Sequence, residues 1–305
     1  MPSTSTIAMG STSTRLTFLG KCFLEADNLF SVLNPKNSFC VDLAWDAEGD
    51  LLAIITDRSP LIFLWNASTH RLQQVDSGIK ESLHILLWSI TSAQPLLCVA
   101  TVKGAVLLYN HQTSRKITVP GKHHRKVVSG AWSSANLLAL AGEDKVLTVS
   151  NEQGETVCIN SLKGEPSLVQ FLHSYFEETR PVSHQSSAGN NPMLSSSISA
   201  ASASSEPNCV SCVLNRRLLY VVNLEDSENP YLITFQDWYG SIVNYHCYPN
   251  GNLFIAFNSG LVVTVSTCYK NFGSELMQIK AHKDLLGTLS ICPAAERVAT
   301  CSENK

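Results

Sequence analysis

Three segments of this chain repeat one another in register, and that periodicity restricts its fold more than any other feature. The first begins at Trp45-Asp46-Ala47-Glu48-Gly49-Asp50, continues through LLAIIT and LIFLWN, and closes at Asn66. The second begins at Trp88, runs through PLLCVATVKG and AVLLYN, and closes at Asn110. The third begins at Trp132, runs through NLLALAGEDK and VLTVSN, and closes at Asn151. The leading tryptophans stand 43 and then 44 residues apart, and the closing asparagines 44 and then 41 apart. Each unit holds short apolar runs separated by Gly, Asp and Asn turns, and none has helical periodicity. Runs such as LLALA suit strands covered on both faces, which one unit cannot achieve alone, so neighbouring units must stack.

Weaker units follow. Val169-Gln170-Phe171 holds the leading position of a fourth, with CVSCVLNRRLLYVVN supplying its next strands up to Asn223. Tyr245 leads a fifth with NLFIAFNSGLVVTVS, and Leu289-Ser290-Ile291 with RVATCS begins a sixth. The 74 residues between Phe171 and Tyr245 exceed one repeat, and the excess is a Ser-, Ala- and Asn-rich insert at 174–207, expected to be a disordered loop. A period of ~40–45 residues built from short strands predicts an all-β WD-repeat β-propeller. The expected ring is incomplete, with about five to six four-stranded blades over residues 30–305 and a disordered or unrelated leader at 1–29. The blade anchors are expected to be Trp45, Trp65, Trp88, Tyr109, Trp132, Phe171 and Tyr245. A ring that does not close exposes apolar edges.

Composition bounds the function. Among 305 residues, 22 Lys and Arg face 25 Asp and Glu, a net charge of −3, without the excess of base that marks a nucleic-acid binder. No run reaches the ~18 consecutive apolar residues of a membrane span, so no membrane insertion is expected. The Ser- and Thr-rich start does not read as a secretory signal, and the ten cysteines sit singly in apolar runs, as reduced and mostly buried side chains do.

No catalytic, cofactor-binding or metal-binding residue is expected. Phosphate-cradling glycine motifs and the G-x-S-x-G elbow are missing. The basic stretch GKHHRK at 121–126 reads as a solvated loop, in which His123 is placed to hydrogen-bond a turn aspartate, Asp144. His282 occupies a similar place ahead of the sixth unit. Cys209 and Cys212 form a lone C-x-x-C with no second ligand pair, and in a strand residues three apart point to opposite faces.

The blocks TVKGAVLLYNHQTSRKI (101–117) and LLALAGEDKVLTVSNEQGET (137–156) resemble the WD repeat-containing protein 19 family, large subunits of intraflagellar transport complex A. The loop residues NHQTSRK and NEQGET, which a generic WD repeat does not dictate, carry the resemblance, and residues 45–89, 253–267 and 281–304 extend it. It implies a non-catalytic scaffold for retrograde ciliary transport, cilium assembly and membrane-protein delivery to cilia. It further implies other complex-A subunits and ciliary cargo or adaptors as partners, and a location at the cilium and basal body with a cytoplasmic pool. The repeat geometry alone would equally allow an adaptor outside cilia, such as a vesicle-coat component or a ubiquitin-ligase substrate receptor. The family begins with a blade ahead of the Trp45 unit, of which only FSVLNP (30–35) could be a last strand here, and it continues into further blades and a helical region.

Overall fold

The computed structural model describes residues 39–57, 59–91, 95–119, 121–172, 209–248, 252–292 and 297–302. The leader and the Ser-rich insert therefore lie outside the described residues.

Among the described residues, five four-stranded antiparallel sheets and one two-stranded sheet follow each other along the chain. The first blade is β1 (Cys40–Trp45), β2 (Leu51–Thr56), β3 (Leu61–Asn66) and β4 (Leu72–Asp76). The second is β5 (Leu83–Trp88), β6 (Leu96–Thr101), β7 (Val106–Asn110) and β8 (Arg115–Val119). The third is β9 (Val127–Trp132), β10 (Leu138–Gly142), β11 (Val146–Ser150) and β12 (Thr156–Ser161). The fourth is β13 (Pro166–Leu172), β14 (Cys209–Leu214), β15 (Leu218–Asn223) and β16 (Tyr231–Thr234). The fifth is β17 (Ile242–Cys247), β18 (Asn252–Phe257), β19 (Leu261–Ser266) and β20 (Glu275–Lys280), and the sixth sheet is β21 (Leu286–Cys292) with β22 (Arg297–Ser302). Within each sheet the strands pair in sequence order. The first strands of successive blades pack against one another, so these strands form the inner wall of a propeller whose ring is not closed.

The apolar runs are strands because both of their faces are covered. In β6, Leu97 and Val99 join the cluster shared with the first blade, whereas Leu96, Cys98 and Ala100 join the cluster shared with the third. Comparable clusters lie between the third and fourth blades and between the fourth and fifth. A fully buried Leu or Val contributes about 1.5–3 kcal/mol, so these inter-blade layers supply most of the driving force. Fourth strands face water on one side and alternate, as β4 does, or are exposed throughout, as β20 is. The layer between the fifth and sixth sheets is thin, and Leu276, Met277, Ile279 and Val298 are exposed there.

Every first strand carries a register break near its start. The skipped residues are Val41 in β1, His84 in β5, Val128 in β9, Leu168 and Val169 in β13, Val243 in β17 and Gly287 in β21. A bulge of this kind bends the strand and re-aims the next side chain, here once per blade at the inner wall. In four blades that next residue is polar and reaches the first strand of the following blade. Asp42 Oδ2 accepts from Leu86 N at 2.8 Å, and Ser129 Oγ accepts from Val169 N at 2.9 Å. Gln170 Nε2 donates to Tyr245 O at 2.5 Å, and Asn244 Nδ2 donates to Leu289 O at 2.9 Å.

The aromatic side chains bond in the opposite direction. Trp88 Nε1 donates to Ala44 O at 3.0 Å, Trp132 Nε1 to Leu87 O at 2.9 Å, and the Tyr245 hydroxyl to Leu168 O at 2.8 Å. Each anchors its own first strand to that of the preceding blade. Phe171 has no donor; it is half-buried against the layer between the third and fourth blades. Trp45 meets Trp65 edge-on at 6.0 Å in a cluster on the other face of the first blade, and Tyr109 is fully buried between the first two blades.

Replacing Trp132 with Phe keeps an aromatic ring and deletes the indole donor, and with it the bond to the Leu87 carbonyl between the second and third blades. Trp132→Phe should lower the unfolding free energy by about 1–2 kcal/mol in urea denaturation. Trp238→Phe, at a side chain 58% exposed, should change it by less than about 0.5 kcal/mol.

Candidate interaction surface

The chemistry-bearing residues singled out in the sequence fall into two kinds of place: the turns that close each blade, and the layers between blades. Where the apolar run of a second strand ends, an Asp or Asn follows in three blades: LLAIIT-Asp57, CVSCVL-Asn215 and NLFIAF-Asn258. Each of these residues makes the same reciprocal pair of bonds with the residue just ahead of its blade's first strand. Asp57 N donates to Phe39 O at 3.0 Å while Asp57 Oδ1 accepts from Phe39 N at 2.8 Å. Asn215 does so with Glu165, at 2.9 Å in both directions, and Asn258 with Ser241, at 2.8 Å in both. The side-chain oxygen stands in for the next ladder carbonyl and holds the incoming linker against the blade. Sequence reasoning missed these three residues, although an Asx directly after a buried run was a readable signal.

The third blade elaborates this lock. Asp144, in the turn between β10 and β11, accepts from His124 N at 2.9 Å and from Val146 N at 3.3 Å. His123 Nδ1 lies 3.1 Å from both carboxylate oxygens, and its Nε2 lies 3.2 Å from Thr148 Oγ1. His123 is buried, so the basic stretch is not solvated throughout as the sequence reading expected. A Cβ at Gly142 would stand 2.5 Å from Asp144 Oδ1 and 2.7 Å from His123 Nδ1, so only glycine leaves room for the pair. Burial pushes the Asp144 carboxyl up, but the bonds from His124 N–H, His123 and Val146 N–H outweigh it and hold the group below the ordinary carboxylate range. His282 differs: its Nε2 lies 2.8 Å from Thr300 Oγ1 on β22.

The cysteines pack. Cys209 and Cys212 are both fully buried on β14, the first facing the layer between the fourth and fifth blades and the second the layer between the third and fourth. Burial pushes the Cys212 thiol up to about 12 and that of Cys98 higher still, so neither supplies a thiolate near neutral pH. Every described cysteine is a free thiol, and no group of three or more His, Cys, Asp or Glu among the described residues is placed to hold a metal ion. An open cleft of about 270 Å³ between the first two blades is lined by Asp46, Glu48, Asp50, Asn66, Thr91 and His111. Asp46 Oδ1 there already accepts from Asp50 N at 2.9 Å and Leu51 N at 3.1 Å, and so serves the turn. What the molecule offers to others is therefore the side chains on its two rims and its outer strands.

Comparison with known proteins gives a consistent picture. A family model described as the WDR19 first beta-propeller matches residues 27–305. WD repeat-containing protein 19 of Mus musculus is 38% identical over 265 residues, covering 87% of this chain and 18% of its own length. The Homo sapiens protein of that name is 37% identical over 265 residues with the same coverage. WD repeat-containing protein dyf-2 of Caenorhabditis elegans is 26% identical over 280 residues, covering 91% of this chain and 18% of its own length. The chain thus spans under a fifth of the length of these curated relatives. Among solved structures, a chain of a mitotic checkpoint complex crystal structure superposes with a TM-score of 0.60 over 88% of this chain and 72% of its own, at 12% identity, which shows the fold alone.

Two measurements check the site. Above the unfolded carboxyl value of about 3.9 the contribution of Asp144 is fully present, and it is lost as pH falls through the lower folded value. Asp144→Ala should therefore cost about 1–3 kcal/mol at neutral pH, with the gap to the parent chain closing under acid conditions. Brief alkylation of the native protein with N-ethylmaleimide should modify the exposed Cys292 and Cys301 and spare Cys98, Cys209 and Cys212, as read by mass spectrometry after digestion.

Proposed function

Because this chain belongs to the family of the WDR19 first β-propeller, we propose that it acts as a non-catalytic protein-interaction scaffold. In this reading it is part of a subunit of intraflagellar transport complex A, serving retrograde ciliary transport, cilium assembly and the trafficking of membrane proteins to cilia. Its partners are the other subunits of that complex and ciliary cargo or adaptors, and its location is the cilium and basal body with a cytoplasmic pool. The observation that carries the proposal is the extent of the family match, which runs from residue 27 through all six sheets to residue 305. Loop residues add weight, because the NHQTSRK and NEQGET loops are not needed to close a blade. The geometry is compatible with this role. The polar groups on the inner wall lace blades together, the thiols of Cys209 and Cys212 are buried, and the His123–Asp144 pair holds a turn.

Tagged protein purified from ciliated cells should co-purify with other complex-A subunits and localise to the basal body and cilium by fluorescence. Recovery with vesicle-coat or ubiquitin-ligase components in their place would move the function outside cilia and overturn the reading.

A further inference from the structure

An antiparallel meander sends successive connections to opposite rims. Links between second and third strands share one rim with the links between blades, here termed the linker rim. Links from first to second and from third to fourth strands share the other, the hairpin rim. Among the described residues, the hairpin connections are mostly acidic and the linker rim of the second to fourth blades is mostly basic, with Asp57, Glu81 and Asp284 on the rest of the linker rim. The hairpin connections carry Glu48, Asp50, Glu152, Glu155, Glu225 and Glu228, opposed in those connections, among the described residues, by Arg71 and Lys270. The linker rim of the second to fourth blades carries Lys103, Arg125, Lys126, Lys145 and Lys163, followed by Arg216 and Arg217. Glu143 and Glu165 are interspersed, while the carboxylate of Asp144 is occupied by His123 and two backbone N–H groups.

These cations form one continuous arc. A Cβ on Gly104, next to Lys103, would lie 2.7 Å from the Arg125 carbonyl oxygen. Glu143 N donates to Lys126 O at 2.8 Å, and Leu162 N to Lys145 O at 2.7 Å. Asn215 N donates to Glu165 O at 2.9 Å, and Ile242 N to Arg216 O at 2.6 Å. At the end of the arc Arg217 Nη1 lies 2.8 Å from Asp237 Oδ1. The next residue, Trp238, is 58% exposed. Its ring stands edge-on to Tyr239 at 4.4 Å, and Tyr239 is buried with its hydroxyl donating to Glu275 at 2.7 Å. The exposed indole is therefore carried on a fixed short turn beside two arginines, and Trp and Arg are the side chains that most often carry binding energy in interfaces.

We infer that the linker rim of the second to fourth blades is a docking surface for an acidic, extended polypeptide segment of a partner protein, anchored by an apolar side chain on Trp238. Charge complementarity selects the sign of the ligand. The interspersed Glu143 and Glu165 favour a segment with separated carboxylates that can follow the arc over a uniformly anionic lipid surface. The inference concerns which face is used and holds whichever complex the chain serves.

A fluorescein-labelled peptide of repeating Glu-Glu-Phe units, titrated with the full chain and followed by anisotropy, tests it. Binding should weaken as salt rises. It should fall roughly tenfold in Arg216→Glu/Arg217→Glu and again in Trp238→Ala, and stay unchanged in Lys270→Glu on the opposite rim. Thermal melts by circular dichroism, unchanged across these exposed substitutions, separate lost binding from lost fold. Equal peptide affinity in all variants overturns the inference. So does binding to phosphatidylserine vesicles without binding to the peptide. So does salt-sensitive self-association in sedimentation that Arg217→Glu and Glu225→Lys both abolish, since the occupant would then be the acidic rim of a second copy.

Discussion

The hydrogen bonds that three first-strand aromatics send back to the preceding blade's first strand are the constraint on which the rest of this propeller depends. Sheet faces pack through apolar side chains, and that attraction has no direction. Blades held by it alone could slide or rotate against one another at little cost. Trp88 on Ala44, Trp132 on Leu87 and Tyr245 on Leu168 fix one point of contact at each of three interfaces, with donors that must be satisfied because they are buried. The bulge at the start of each first strand supplies the second point. In four blades it turns Asp42, Ser129, Gln170 and Asn244 toward the following blade, so the first and second blades, and the fourth and fifth, are tied in both directions.

The blades share this scheme but not its parts. The second blade has Ile85 after its bulge and Val102 where the first, fourth and fifth place Asp or Asn. Its tie to the third blade at this level is the Trp132 indole, and its turn is held by Val102 N on Ser82 O at 3.1 Å. The fourth blade has Phe171 at its anchor and so lacks a backward donor there. In its place the Val169 N–H reaches Ser129, and the Leu168 carbonyl, freed by the bulge, accepts from Tyr245. Tyr245 also shares a 2.7 Å bond with Ser211, and burial holds its hydroxyl well above the usual phenol range, so it remains a donor. The units that read as weakest in sequence are those where the tie is made by backbone groups or by a residue other than tryptophan.

That distribution explains what was legible. Spacing of Trp45, Trp88 and Trp132 located the first three blades because tryptophan is rare and each of these closes its blade's first strand. The pairing of His123 with Asp144, 21 residues apart, could be read because WD repeats place a His ahead of the first strand to meet a turn Asp. The opposed burial of Cys209 and Cys212 followed from the two-residue period of a strand. The bulges were not legible: each adds one residue to an apolar run whose period already varies by that much. Asp57, Asn215 and Asn258 were in view but read as ordinary turn residues, because their partners lie 17 to 50 residues away in sequence and only the sheet brings them back.

Net charge shows the same limit in its strongest form. A total of −3 argues against a polyanion binder only if charge is spread evenly over the surface. In a meander it cannot be assumed to be, because topology assigns each connection to a rim and alternates them along the chain. Acidic residues gathered in third-to-fourth strand turns and basic residues gathered in linkers then cancel in the sum while standing on opposite sides of the molecule. Since the inner wall is consumed in tying blades together and the layers between blades are apolar, the exposed side chains of these two rims, apart from the Asp and Asn residues that hold the turns, are where the fold leaves sequence free to vary at least cost to stability. A scaffold with oppositely charged rims can hold two different partners at once. It can also reject each from the other's face, because like charges brought together across an interface cost several kcal/mol.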